Sequence, residues 1–159
     1  MEILEFFERN EASRKFWAAQ IAEGDWRAAK YLAELLDQGT FQNRYGPDGR
    51  IFLLTEADAL VSFCTFVRQD EIADDSLTPW IGFVYTFPTY RGNRYSQRLI
   101  DHVCAFAKAR GCQQVYLSSD EQGLYEKYGF HPLQSMKTLG AEMTQVYVRS
   151  LSAPLFSEN

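Results

Sequence analysis

The stretch Val84-Tyr85-Thr86-Phe87-Pro88-Thr89-Tyr90-Arg91-Gly92-Asn93-Arg94-Tyr95-Ser96-Gln97 carries the chain from one periodicity to another. Trp80 to Phe87 is an apolar, β-prone run that breaks at Pro88, whereas Leu99, Ile100, Val103, Phe106 and Ala107 keep the 3.6-residue period of one helix face. The stretch therefore reads as a strand, a short polar turn and the N-terminus of a long helix. The first turn of a helix presents backbone N–H groups without intrahelical acceptors, together with the positive end of the helix dipole, and so suits a phosphate or pyrophosphate. Arg91 and Arg94 add two cationic side chains to that turn.

Downstream, the helix is expected to run for about eleven to seventeen residues and to stop at Gly111, with Lys108 and Arg110 complementing the negative end of its dipole. Gln114 to Leu117 follows as a strand, and a strand–helix–strand unit normally crosses over right-handed between parallel neighbours. Ser118-Ser119-Asp120-Glu121-Gln122 reads as another helix start, with Ser118 and Glu121 or Ser119 and Gln122 as a capping box, and Gly129 ends that helix. Phe130 to Ser135 and Met143 to Val148 read as a closing antiparallel pair.

Upstream, Met1 to Phe7 is either a first strand or a helix start. Ala12 to Ile21 and Trp26 to Leu36 have helical spacing, with Asp25 as the cap of the second helix and Gly39 as its end. Gly46-Pro47-Asp48-Gly49 is a turn, and Ile51 to Thr55 and Ala59 to Arg68 form an antiparallel hairpin around Glu56-Ala57-Asp58. The connection from Arg68 to Pro79 holds Asp70, Glu71, Asp74 and Asp75. It reads first as a solvated acidic segment, and alternatively as an electrostatic collar for an amine.

With 159 residues, 46% of them hydrophobic, the chain is long enough for one domain with a substantial core. Residues 1–151 are read as that domain and 152–159 as a short tail. The net charge of −5 argues against a nucleic-acid partner and is compatible with a cationic small molecule or peptide. MEILEFFERN lacks the basic and apolar regions of a secretory signal, and no run approaches a membrane span, so a cytoplasmic location without a membrane partner is expected. Cys64, Cys104 and Cys112 form no C-x-x-C pair and read as buried thiols rather than a disulfide framework or a metal site.

Pro88 to Ile100, PTYRGNRYSQRLI, resembles the acetyl-CoA-binding motif of the GCN5-related N-acetyltransferase (GNAT) family, whose pattern is Arg or Gln, two residues, Gly, one residue, then Gly or Ala. Arg91 matches the leading position and Gly92 the common Arg-Gly form, while Arg94 stands at the central Gly and Ser96 at the final small residue. Leu124-Tyr125-Glu126-Lys127-Tyr128-Gly129-Phe130 resembles the family's second motif, usually LYEKLGF, and Tyr125 lies 34 residues after Arg91, in the family's order and spacing. The resemblance extends from Ala12 to Leu151.

It implies an α/β fold of GNAT type: a mixed, mostly antiparallel sheet of six to seven strands flanked by about four helices, with a splayed parallel pair in the middle. That pair is Trp80–Phe87 and Gln114–Leu117, and acetyl-CoA is expected in the gap. Val84, Tyr85 and Thr86 would pair with the pantetheine arm as strand with strand. The N–H groups of Gly92, Asn93, Arg94, Tyr95, Ser96 and Gln97 would hold the pyrophosphate beside Arg91. Arg94 can donate its N–H if its φ is negative, and its side chain is expected to point outward toward a cofactor phosphate.

Transfer of acetyl from a thioester to an amine requires a neutral amine, a polarised carbonyl and a proton for the leaving thiolate. The resemblance makes Tyr125 the expected acid, since unperturbed phenol and thiol pKa values, roughly 10 and 8.5, are close. The alternative is a tyrosine that only packs its ring, which is the reading for Tyr128. Trp80 to Phe87 contains no acid, which leaves a water relay or Asp70, Glu71, Asp74 or Asp75 as base. His102 reads as solvated and His131 as structural, and neither Cys64 nor Cys112 shows a sign of thiolate activation. Direct transfer in a ternary complex to a primary amine of a small molecule or peptide is therefore expected. The acidic connection and Phe41, Tyr45 and Trp80 are its expected pocket, and a homodimer is allowed. Two rivals are a non-catalytic acyl-CoA-binding sensor, suggested by the altered Gly pattern and missing base, and a nucleotide-binding domain, which leaves the second motif unexplained and lacks GK[ST].

Overall fold

A computed structural model describes residues 1–152, so the expected tail falls outside the described residues from position 153 onward. Seven strands make one sheet in the order β1-β2-β3-β4-β5-β7-β6. They are β1 (Glu2–Glu5), β2 (Arg50–Glu56), β3 (Ala59–Val67), β4 (Trp80–Thr86), β5 (Gln114–Ser119), β6 (His131–Lys137) and β7 (Met143–Ser150). Every neighbouring pair is antiparallel except β4 and β5. Four helices accompany them: α1 (Glu11–Ile21), α2 (Arg27–Asp37), α3 (Phe41–Tyr45) and α4 (Tyr95–Ala109).

The central strands read as unbroken apolar runs because both sheet faces are covered. On one face Ile51, Leu53, Phe63 and Trp80 pack with Trp17 and Ile21 of α1, Leu32 of α2 and Phe41 of α3. On the other, Phe52, Leu54, Ile81, Val115 and Leu117 meet Leu99, Ile100, Val103 and Cys104 of α4. Each fully buried large side chain contributes roughly 1.5–3 kcal/mol. The β2–β3 hairpin closes over Ala57 and Asp58, and Gln20 of α1 clamps its end, donating to the Asp58 carbonyl and accepting from the Leu60 N–H, both at 2.8 Å.

Two features of β4 prepare the site. Its ladder with β3 runs from Trp80 to Thr86, but between the Phe63–Tyr85 and Thr65–Gly82 pairs β4 has an extra residue, and Phe83 takes φ +49. This is a β-bulge, which re-aims side chains and bends the strand. On its other flank β4 makes a single registered pair with β5, Trp80 with Tyr116, after which the two strands part.

Several local expectations change. Met1 to Phe7 is strand β1 followed by a 3-10 turn at Phe6–Glu8, anchored by Glu5, whose buried carboxylate accepts from the N–H groups of Glu8 and Ile51. Asp25 does not cap α2; Trp26 is the N-cap and makes no side-chain cap bond, while the Asp25 N–H is taken by the Tyr85 hydroxyl at 3.0 Å. The helix expected after Ser118 is a 3-10 turn of four residues, Tyr125–Tyr128. Both serines of the expected capping boxes belong to β5, and Gly123 at φ +85 interrupts any helical path between them and Tyr125. Gly129, at φ +89, ends the turn as expected.

Candidate functional site

The parting of β4 from β5 opens a cleft of about 1060 Å³ that runs to the N-terminus of α4. Beyond Trp80 the backbone of β4 has no partner from β5, so its groups on that flank are free to meet an extended ligand. Val84, Tyr85, Thr86, Arg91, Gly92, Arg94, Tyr95 and Ser96 line the cleft, as does Tyr125. Asn93 and Gln97 do not line it. The Asn93 amide braces the turn instead, donating to the Tyr90 carbonyl at 3.1 Å.

Arg94 departs from its expected conformation. Its φ is +58 and ψ +31, the left-handed region, not a negative φ. As N-cap of α4 it makes no side-chain cap bond, its side chain is exposed as expected, and its carbonyl accepts from the Arg98 N–H at 3.2 Å. The N–H groups of Tyr95, Ser96 and Gln97 lie in the first turn and have no intrahelical acceptor. Arg91 turns back over β4: its Nε donates to the Thr86 carbonyl at 2.8 Å, and its guanidinium carbon stands 5.3 Å from the centre of the Tyr85 ring. The α1–α2 loop closes the same wall, with the Trp26 ring stacked on Tyr85 at 5.7 Å and 7°.

Tyr125 is buried, with its ring set edge-on to Tyr128, 5.8 Å away, and to Phe130, 6.1 Å away. Burial, followed by Tyr128 and Glu121, pushes its phenol well above the ordinary tyrosine range. The near match of phenol and thiol acidities therefore does not hold in the free protein, and the phenol stays a proton-bearing donor at all ordinary pH. Tyr128 does more than pack: its hydroxyl hydrogen-bonds the Ser96 hydroxyl at 2.8 Å, joining the start of α4 to the Leu124–Phe130 motif. No local pattern in the sequence announces that bond.

Of the four acids between β3 and β4, only Glu71 lines the cleft. Asp74 takes hydrogen bonds from the N–H and hydroxyl of Ser76, which hold its carboxyl below the usual range. Phe41, Tyr45 and Trp80, expected in an acceptor pocket, are buried core residues. Asp70 is partly buried; desolvation first, and then Glu71, raise its carboxyl to about 7 against the opposing pull of Arg44. Burial pushes the Cys64 thiol up strongly and the Cys104 thiol up to about 11, so neither is an activated thiolate. His102 and His131 are both exposed. A second hollow of about 1280 Å³ lies among α1, α2 and α3 and shares no residue with the cleft. Among the described residues, no helix is long and apolar enough to cross a membrane.

Residues 16–130 match the model of the acetyltransferase (GNAT) family. A comparison with curated proteins finds no match. Solved structures with similar architecture include an aminoglycoside 6'-N-acetyltransferase complexed with coenzyme A, 15% identical, with a TM-score of 0.69 over 97% of this chain and 99% of that one. The aminoglycoside 6'-N-acetyltransferase from Enterococcus faecium is 14% identical, with a TM-score of 0.70 over 97% and 99% of the two chains. An acetyltransferase from Streptococcus agalactiae 2603 is 22% identical, with a TM-score of 0.65 over 94% and 97%. At these identities the likeness is one of fold.

Proposed function

The chain belongs to the GNAT acetyltransferase family, and on that premise we propose that it is an acetyl-CoA-dependent N-acetyltransferase acting on a primary amine by direct transfer. Residues 1–151 are one acetyltransferase domain in this reading, working in the cytoplasm without a metal, alone or as a homodimer. The observation that carries the proposal is the coincidence, in one cleft, of an unpaired strand flank, a helix N-terminus and the Tyr125 phenol.

The donor set fits the coenzyme. Val84, Tyr85 and Thr86 offer strand-like backbone to an amide-bearing arm. The amides of Tyr95, Ser96 and Gln97 suit a pyrophosphate, with Gly92 and Asn93 shaping the turn and Arg94 free to reach a phosphate. Arg91, held to the Thr86 carbonyl, contributes by fixing the turn to β4 and by its charge. The bound coenzyme supplies the acetyl group as a thioester. Tyr125 donates a hydrogen bond toward the departing sulfur, and its proton follows only as negative charge grows there.

Thiol release with a panel of primary amines, measured beside acetyl-CoA binding, tests the proposal. Turnover of at least one amine is expected, and binding with no turnover would instead favour an acyl-CoA sensor. Competition of acetyl-CoA by ATP would favour the nucleotide-binding reading. Tyr125→Phe should lower kcat about 10- to 100-fold while leaving acetyl-CoA affinity within a few-fold, the split expected for an interaction made only as the reaction proceeds; unchanged kcat removes Tyr125 from the mechanism.

A further inference from the structure

The connection between β3 and β4 is folded across the mouth of the parted strands. The Ser118 hydroxyl of β5 donates to the Glu71 carboxylate at 2.7 Å, and the Leu139 N–H, in the β6–β7 turn, donates to the Glu71 carbonyl at 2.8 Å. Ile72, itself buried, bridges to Thr138 of the same turn. The segment therefore ties β4, β5 and the β6–β7 turn together over the gap, and Asp70 directly precedes Glu71 in it.

The carboxyl of Asp70 rests on the backbone of β4 at Gly82. A methyl group placed on Gly82 would overlap Asp70 Oδ2 and come within 3.2 Å of Asp70 Cγ and Thr65 Oγ1. Gly82 is not in the left-handed region, so its missing side chain serves space and not backbone shape. It lies two residues beyond Trp80, where the last pairing with β5 is made, and immediately before the bulge at Phe83. The carboxyl thus packs on β4 two residues before Val84 and three before Tyr85 of the cleft wall, next in the chain to Glu71 of the lining and not itself among the lining residues.

We propose that Asp70 is the general base that takes a proton from the acceptor amine, a role that rests on the transfer activity proposed above. The surroundings fit an amine and its cation. Phe83 is stacked with Tyr31 at 6.5 Å and faces Trp26 at 6.3 Å, giving an aromatic wall that attracts an ammonium group, while buried Tyr45 supports Phe83 from the core side at 6.1 Å. Glu71 adds negative charge beside Asp70, Arg44 and Tyr45 of α3 and Tyr31 of α2 are the other titratable groups of this neighbourhood, and Thr65 Oγ1 of β3 is buried without a partner among the described residues. Among the described residues no hydrogen bond holds the Asp70 carboxyl, so both oxygens can accept. A carboxyl that titrates near neutrality is matched to proton transfer at working pH.

In the step itself, Asp70 takes one N–H proton as the nitrogen lone pair forms the C–N bond to the thioester carbonyl carbon. The C–S bond breaks with its electron pair on sulfur, sulfur takes the Tyr125 phenol proton, and the proton held by Asp70 leaves to solvent, which reprotonates Tyr125. Amine and thioester become amide and thiol, with no net change in protons.

The test uses the whole chain with tyramine, spermidine, kanamycin and a lysine-containing peptide as acceptors. It follows thiol release against pH, acetyl-CoA affinity by calorimetry, and the Asp70 carboxyl by 13C NMR without coenzyme. Asp70→Asn should lower kcat/KM for the amine by about 10²- to 10⁴-fold, remove the limb near pH 7 from the profile, and leave acetyl-CoA affinity unchanged. Gly82→Ala, which displaces the carboxyl without removing it, should reproduce the loss. Both variants must bind acetyl-CoA, which controls for folding. Wild-type turnover in Asp70→Asn, or a carboxyl midpoint near 4 in the wild type, overturns the assignment. Acetyl-CoA binding without turnover of any amine also overturns it while sparing the cofactor site, and absence of acetyl-CoA binding defeats the transferase reading and this one with it.

Discussion

At the phosphate turn Gly92 and Arg94 both have positive φ, +86 and +58, and nothing stands within 4 Å of where a Gly92 side chain would begin. On β4, Gly82 lies outside the left-handed region, yet the Asp70 carboxyl occupies the place of its missing side chain. The two regions ask for glycine for opposite reasons. A demand set by backbone angle can be met by another residue at a cost of roughly 1–2 kcal/mol, and Arg94 meets it. A demand set by crowding cannot be met without moving the neighbour. The phosphate turn is therefore tolerant in residue identity, whereas Gly82 accepts a side chain only if Asp70 gives way as well.

Four measurements probe this contrast, from the largest effect to the smallest. Asp70 has its carboxyl raised in the fold from 3.8 to about 7, so the neutral form is favoured; the associated stability is fully present below pH 4 and is lost as pH rises through 7. At 1.36 kcal/mol per unit this is on the order of 4 kcal/mol. Asp70→Asn, of the same shape and without charge, should escape the loss, so the denaturation midpoints of variant and wild type should diverge between pH 4 and 7 in favour of the variant; parallel curves would break the idea. Gly82→Ala should destabilise by about 1–3 kcal/mol through overpacking. Most of that cost should vanish in the double variant with Asp70→Ala, and additive effects in the cycle would show that the two residues do not collide.

Arg94→Gly should gain about 1 kcal/mol in stability by relieving the left-handed backbone, with acetyl-CoA affinity falling only if the guanidinium meets a phosphate. A salt series separates the two terms, because only the charge contact weakens with ionic strength. Tyr128→Phe removes one hydrogen bond and should cost about 0.5–1.5 kcal/mol, read as a lower melting temperature with the fold intact.

What the sequence made legible follows from range. Helix α4, the β2–β3 hairpin and the parting of β4 from β5 were readable because periodicity, turn chemistry and the two family-like motifs lie in short continuous segments. Asp25 was misread as a cap because its N–H is claimed by Tyr85, sixty residues away. Ser118 was misread as a helix start because its hydroxyl is committed to Glu71 across the gap. The acidic connection looked solvated since nothing near Asp70 in the chain shows that Gly82 will receive it. In the candidate cofactor site eight of ten expected residues line the cleft, while the expected acceptor wall of Phe41, Tyr45 and Trp80 became core; the exposed aromatics Trp26 and Tyr31 sit by the bulge instead.

The hydroxyl pair of Ser96 and Tyr128 ties the amides at the head of α4 to the turn that carries Tyr125. These two ends of the cleft thereby become the fixed jaws of a gauge, whose opening is set by the protein and not by the ligand. Under the proposed transferase reading, a donor long enough to touch both jaws would be indexed by them along β4. A truncated thioester that reaches only the Tyr125 jaw loses this indexing, and its acetyl group is presented at no particular depth.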